Sequence, residues 1–407
     1  MDSNKINFLV LLMVVCLTQV GADIYAPSIP AIALSLKTRI AFIEWSMALY
    51  MLGVALSHLI YGPLSEGIGR KIPILIGLWI MLGGTLICLW AEDIEILNIG
   101  RFIQGSGAGA CACLWRSIFR DKFKGEDLSR YSSYLVVFIM FLVPAAPLLG
   151  SFLQDFFDWR ASFVFMSFYA VICLFSFILF FRETNQSPHK EKLKLSFIAR
   201  TYLALFTNRL FIGTSLCTFL SYGGFFTWFT AGPALLIEGV GITPTDFGLI
   251  TFFGGGCAYG LSGWLNGKFV SHYGMTTLLR FGWATMMISA ILLLMGYIVL
   301  GMNAWAIIGP VILFYFGSTF IWPNTFATAF MHVGEVAGYA GALYGFMQIS
   351  GAAVLSWGIS FLPNSPISLG VVILGTATLS WIIYELSVPF KYPSRLATLI
   401  FSERAKD

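Results

Sequence analysis

Twelve times along its 407 residues the chain runs through about twenty predominantly apolar residues. At that length an α-helix crosses roughly 30 Å of hydrocarbon with its backbone groups bonded internally. The spans are expected at 6–27, 42–64, 72–90, 96–118, 131–153, 161–181, 209–231, 246–267, 276–298, 305–330, 338–361 and 367–389. Runs such as "VILGTATLSWIIYEL" and "AVICLFSFILFF" lack the alternation of barrel strands, so a β-barrel is excluded. With 58% hydrophobic and 11% charged residues, the chain has more apolar sequence than a soluble core needs. An all-α membrane protein follows. Residues 1–27 share features with a signal peptide, but they are long enough to span and lead into another span, so they are expected to be retained.

Basic residues favour the cytoplasmic side of short loops. With the N-terminus inside, nineteen of the 24 fall on inner segments. Lys37, Arg39 and Arg160 fall outside, and Arg101 and Arg116 lie within span four. Both termini are therefore expected to be cytoplasmic, and the net charge of +4 reflects this bias rather than nucleic-acid binding. Cys16, Cys88, Cys111, Cys113, Cys173, Cys217 and Cys257 fall in spans without metal-ligand spacing and read as small core residues.

The hydrophilic stretch 182–208 divides the spans six and six. The expected organisation is an N-terminal half (1–181), a central cytoplasmic loop (182–208), a C-terminal half (209–389) and a cytoplasmic tail (390–407). The halves echo one another. Gly62 and Gly69 are seven apart after span two, as are Gly267 and Gly274 after span eight, and "YAPSIP" ends span one where "TAGPAL" ends span seven. A duplicated six-helix unit suits a transporter whose halves rock about a midplane site.

An intramembrane acid is a functional candidate because leaving it charged and unpaired is expensive. Asp23 near the outer end of span one and Arg101 near the outer end of span four are expected at similar depth, where they could pair. A carboxylate beside an arginine in a partly dry cavity can take a proton when substrate displaces its partner. The structural alternative is a static ion pair, or an Asp23 close enough to the outer surface to stay hydrated.

The loop "GPLSEGIGRK" offers Gly62, Gly67 and Gly69 for a tight turn, and Glu66, Arg70 and Lys71 as a charge cluster. Glu66 is placed to face the N-terminus of span eleven, near Gly338, as a latch. Pro144, Pro147 and Gly150 suggest a kinked, closely packed span five. Candidate cavity residues are Tyr25, Tyr50, Gln104, Tyr222, Phe226, Trp228, Trp322, Asn324 and Gln348, an aromatic set suited to an amphiphilic or planar ligand. Pro323 is expected to free backbone groups beside Trp322 and Asn324.

These motifs resemble those of the major facilitator superfamily and, within it, the Bcr/CflA-type twelve-span drug:proton antiporters. "GPLSEGIGRK" is similar to the loop pattern G-x-L-a-D-R-x-G-R-K at Gly62, Leu64, Glu66, Gly69, Arg70 and Lys71. "RFIQGSGAG" resembles R-x-x-q-G-x-g-a at Arg101, Gln104 and Gly105, and "DIYAPSIPAI" and "FTAGPALLIE" resemble D-M-Y-L-P-A-L-P and S-A-G-P-F. The chain departs from the loop pattern with Glu66 and Gly67. It departs from the span-five antiporter pattern g-x-x-x-G-P-x-x-G-G with Ala146 and Ser151, keeping Pro147 and Gly150.

The resemblance implies a major facilitator fold of 12 transmembrane helices in two pseudo-symmetric halves, sitting as a monomer in a bacterial cytoplasmic membrane. It implies proton-coupled export of a small amphiphilic organic compound, with the proton as coupling ion, no other cofactor, Asp23 as proton carrier and Arg101 tied to it. The alternative is proton-coupled uptake of a nutrient or siderophore. An enzyme is not expected, since His58, His189, His272 and His332 are scattered and no HExxH or GxSxG arrangement occurs. No GxxxxGK[ST] loop occurs to use ATP.

Overall fold

The computed structural model describes residues 3–122, 142, 145–185, 190–331 and 337–387. Among them every regular element is helical: α1 (Ser3–Asp23), α2 (Ile29–Ser35), α3 (Ile40–Ile68), α4 (Lys71–Leu89), α5 (Ile94–Lys122), α6 (145–156) and α7 (Arg160–Phe180). They continue with α8 (Leu195–Thr207), α9 (Arg209–Pro233), α10 (Pro244–Ile250), α11 (Gly256–Leu300), α12 (Ala304–Ser318), α13 (Ile321–Phe330), α14 (Ala337–Ile359) and α15 (Pro366–Ser387). Nine segments of the described residues are long and apolar enough to cross a membrane. The longest, Pro244–Leu300, is broken at Gly274. Two further expected spans correspond to α5 and to α6, the latter being the described part of span five. Pro144 and the rest of 131–141 and 143 lie outside the described residues, as do His189, His332 and the tail from 388.

The surface of the bundle is apolar where a soluble protein's would be polar. Trp79, Phe168, Phe175, Leu179 and Ile298 are all exposed, and a continuous shell of this kind is stable only against lipid. Ionisable side chains take the opposite place, with Asp23, Glu44, His58 and Arg101 buried. Cys257 is a correction to the expected set of core cysteines, because it is exposed. A thiol is apolar enough to face lipid, so the helix need not bury it.

Helix breaks decide the architecture. Span one does not stop at Pro27, because α1 ends at Asp23, a 3-10 turn covers Ala26–Ser28, and α2 carries the crossing on to Ser35. Pro27 and Pro30 each sit in the first turn of a short helix, where a missing N–H leaves no bond unmade. "YAPSIP" therefore interrupts and restarts the span, and Asp23 lies deep inside it rather than near its end.

The turn after α3 is also narrower than expected. Gly62 and Gly67 are helical, and Gly69 alone turns the chain, at φ 93°. Gly274 does the same inside α11 at φ 77°, ψ 158°, so the repeated glycine spacing ends both times in a residue that only glycine holds without strain. Span ten breaks at Thr319 and Phe320, three residues ahead of Pro323, which puts Pro323 in the first turn of α13.

α3 packs along both α5 and α14, α4 lies against α5 and α7, and α1 rests on α5 and α7. α9 meets α13, α14 and α15, while α11 packs on α12 and α15. Polar links join helices inside the second set. Thr218 donates to Thr325 Oγ1 at 2.8 Å, and its hydroxyl shares a 2.6 Å hydrogen bond with Tyr344, tying α9, α13 and α14.

A methyl group at Gly274 would meet nothing within 4 Å. Gly274→Ala is therefore expected to destabilise through backbone strain alone, by about 1–3 kcal/mol. Gly83→Ala, equally open but helical, should be neutral or stabilising by up to about 1 kcal/mol. Thermal unfolding of both variants in detergent checks the contrast.

Candidate functional site

The break after α1 brings the candidate residues together. Asp23 is fully buried. Gln19, one turn earlier, donates Nε2 to Asp23 Oδ2 at 3.0 Å, while Oδ1 has no hydrogen-bond partner. Arg101 on α5 is equally enclosed. Its Nη1 donates to the Gly21 carbonyl at 2.9 Å and to Gln104 Oε1, and its Nε and Nη2 are unpartnered. The guanidinium is sandwiched between Tyr25 and Tyr50, with Cζ 4.3 Å and 4.2 Å from their ring centroids.

A shell of hydrogen bonds fixes this sandwich. Tyr25 and Ser46 share a hydroxyl hydrogen bond at 2.8 Å, Tyr50 donates to the Thr18 carbonyl at 2.8 Å, and Gln104 donates to Thr85 Oγ1 at 2.9 Å. Asp23 and Arg101 thus occupy one chamber within electrostatic reach. They form no ion pair with each other, which corrects the expected pairing. The reason is local, since the Gly21 carbonyl and Gln104 already hold the guanidinium, and the Asp23 side chain leans back onto its own helix. Such a carboxylate, buried and with one oxygen free of protein partners, is costly to keep charged.

Gly150 of α6 backs the break so closely that a Cβ there would clash with the Ile24 carbonyl oxygen. Ser151 donates to the Pro147 carbonyl at 2.8 Å. On the other side of α6, Gly248 of α10 lies against Ser151 and Leu148. The expected span-five hinge residues Pro147 and Gly150 therefore stand between the Asp23 break and the second half of the chain.

Across from Asp23 lies an aromatic cluster. Tyr222 is 4.9 Å from Phe226 and 5.4 Å from Trp322 between ring centroids, and Phe225 is 4.8 Å from Tyr315 and 5.0 Å from Trp322. Tyr259 adds a contact with Trp322 at 5.7 Å. Tyr222 and Tyr315 are within electrostatic reach of Asp23, and Tyr315 Oη and Trp322 Nε1 are buried without partners.

Three other expected cavity residues do not join the cluster. Trp228 stacks on Phe247 at 6.1 Å, because its place on α9 turns it toward α10. Asn324 spends its amide on Asn266 Oδ1 at 2.7 Å and the Phe320 carbonyl at 2.8 Å, so it links α13 to α11. Gln348 is half-buried on α14 and has no hydrogen bond to these groups among the described residues.

At the α3–α4 turn, Arg70 is the hub. It donates to Ser65 at 2.6 Å, Glu66 Oε1 at 2.9 Å and Asp121 Oδ2 at 2.9 Å. The Glu66 carboxylate also approaches Gly338 at the start of α14, where a helix N-terminus attracts an anion. Gly62 packs on Ala342 and Gly67 on Leu193. At the opposite end of the same α3–α14 contact, Trp45 donates to Ser360 at 2.8 Å.

Sequence reasoning missed several participants. Glu44 carried a usable signal, an acid inside expected span two; it is buried, with Oε1 unpartnered. Phe225, Tyr259 and Tyr315 carried none that set them apart from the other aromatics. Glu183, far along the chain, caps α4 by accepting from the backbone N–H of Arg70 and of Lys71, both at 2.9 Å. Lys71 Nζ reaches the Ile178 carbonyl at 3.2 Å.

The family model described as Major Facilitator Superfamily matches residues 11–386. The chain belongs to the Major Facilitator Superfamily. This facilitator is 26% identical over 358 residues to the bicyclomycin resistance protein homolog of Haemophilus influenzae, covering 87% of this chain and 89% of the relative. It is 26% identical over 363 residues to multidrug resistance protein D of Escherichia coli, covering 89% and 90% respectively. Its fold matches the xylose transporter of E. coli in a partially occluded inward open conformation, with a TM-score of 0.74 at 14% identity over 97% of this chain and 100% of that one. The facilitator is thus a multi-pass membrane transporter of small molecules and not an enzyme, with relatives of the Bcr/CflA type.

Burial alone would raise the Glu183 carboxyl, but backbone N–H donors from Lys71, Arg70, Asn185 and Thr184 together hold it below the ordinary 4.5. Its stabilisation is therefore whole above 4.5 and fades as pH falls through the lower folded value. Glu183→Gln should melt earlier than the native protein at neutral pH and lose less on acidification below 4.5; melting curves across that range check it.

Proposed function

We propose that the facilitator exports a small amphiphilic organic compound in exchange for protons by alternating access, with Asp23 as the proton carrier. The observation that carries this reading is the Asp23 carboxylate, fully buried at a helix break with one oxygen unpartnered, beside a guanidinium held by a carbonyl and two rings rather than by an acid. In that setting charge on Asp23 is costly until Arg101 turns toward it, so proton binding and the position of Arg101 are coupled.

The aromatic cluster faces the same chamber and suits an apolar, planar cargo. Cargo seated against Tyr222 and Trp322 favours the deprotonated arrangement, and proton uptake favours its release. Movement of the halves along the α3–α14 contact would expose the chamber to each side in turn. The Glu66 and Arg70 cluster stabilises closure at one end, and the Trp45–Ser360 contact does so at the other. The resistance and multidrug names of the relatives support a drug or metabolite as cargo. In this reading the protein works as a monomer in a bacterial inner membrane, with both termini cytoplasmic and the proton as its only coupling species.

Asp23→Asn is expected to fold and to lose pH-gradient-driven flux. The measurement is transport of a panel of amphiphilic compounds by proteoliposomes of known sidedness, with native protein and variant side by side. Undiminished gradient-driven flux in the variant would remove Asp23 from the mechanism, and gradient-driven accumulation on the cytoplasmic side would make the protein an uptake symporter.

A further inference from the structure

Arg116 is the second arginine inside α5, and the chamber around Asp23 does not use it. It lies roughly 22 Å beyond Arg101 along the helix axis, at about 1.5 Å per residue. It faces the interior of the bundle rather than lipid, because its Cζ is 5.3 Å from the Phe326 ring of α13 as well as 4.4 Å from Trp115. Tyr222 of α9 and Tyr344 of α14 are within electrostatic reach.

Arg101 is tied to a carbonyl and Gln104, and Arg70 to two carboxylates. Arg116 has no hydrogen bond and no ion pair among the described residues, and its side chain is exposed. Among the described residues its surroundings offer no anion. Tyr344 is already bonded to Thr218 and Thr325, and His58 holds the Val54 carbonyl at 2.7 Å. A guanidinium that is reachable, enclosed by rings and unmatched by an acid is a receptor for a carboxylate or a similar planar anion, which its two parallel N–H groups can hold together.

Tyr222 lies within reach of both Asp23 and Arg116, so the aromatic cluster stands between them. We propose that Arg116 binds an acidic group on the transported amphiphile, whose ring system packs on the Tyr222 and Trp322 cluster. This rests on the reading of the cargo as an amphiphile, and it sharpens that cargo to an organic acid. The anion then sits at one end of the cluster and the proton site at the other, so that cargo and proton do not compete for one charge.

The test is equilibrium binding to purified protein in lipid nanodiscs, read by tryptophan fluorescence, of 2-naphthoate, 2-naphthamide and 2-naphthylmethylammonium. Native protein is expected to bind the carboxylate about tenfold more tightly than the amide. Arg116→Gln should lose that preference while its affinity for the amide stays unchanged, which also reports an intact site. Arg116→Lys keeps the charge without the fork and should weaken carboxylate binding alone by about threefold.

Equal binding of the three probes by native protein, or a full carboxylate preference in Arg116→Gln or an undiminished one in Arg116→Lys, would overturn the assignment. No gradient is involved, so the preference should persist in Asp23→Asn. Failure of proton coupling thus leaves this result standing, whereas binding of none of the probes would overturn the amphiphile reading and this one together.

Discussion

A few of this protein's charges lie inside the helix bundle, away from its loops, and most of the architecture answers to that. Asp23 and Arg101 are buried within spans whose outward faces are apolar, so each must be satisfied by neighbouring protein groups or leave one valence open. The structure does both. Arg101 is held by the Gly21 carbonyl, Gln104, and the faces of Tyr25 and Tyr50. Asp23 Oδ1 and two guanidinium nitrogens remain unpartnered. A fully satisfied pair would be a strut, whereas here the chamber keeps open positions on both groups.

That chamber exists because helices break in chosen places. The turn at Ala26–Ser28 frees Asp23 from the regular ladder of span one, and Gly150 lets α6 approach the same turn more closely than any side chain would permit. Breaks at Gly69 and Gly274 use one backbone conformation at equivalent places in the two halves of the sequence. Repetition of a positive-φ glycine is stronger support for a duplicated unit than repeated spacing alone, because the conformation rather than the interval needs the residue.

The α3–α14 contact is the seam along which the proposed motion would run. It runs from Glu66 beside Gly338 at one end to Trp45 and Ser360 at the other, and small residues such as Gly62 and Ala342 keep it close-packed. Contacts between separate polar groups at the two ends can be broken independently. A continuous apolar seam could not open at one end while staying shut at the other so readily.

Much of the fold was legible from residue order. Span length follows from local hydrophobicity, so α3, α4, α7 and α15 lie close to their expected limits, and Asp23, Arg101 and Gln104 stood out as polar groups in apolar runs. Glu44 was equally legible and was passed over. The ends of span one were misjudged, since a proline that stops a helix and one that restarts it look alike in sequence. Trp228 and Asn324 were assigned to a cavity that their helices turn them away from, and Glu183 drew no attention because its partners lie more than a hundred residues earlier.

By itself, then, the sequence determined that this is a helical membrane protein with charges placed inside it. Only the tertiary structure decided that Asp23 and Arg101 share a chamber without pairing, and which aromatic rings face them. Hydrophobic spans are a local property of the chain; the partner of a buried charge depends on how the helices pack.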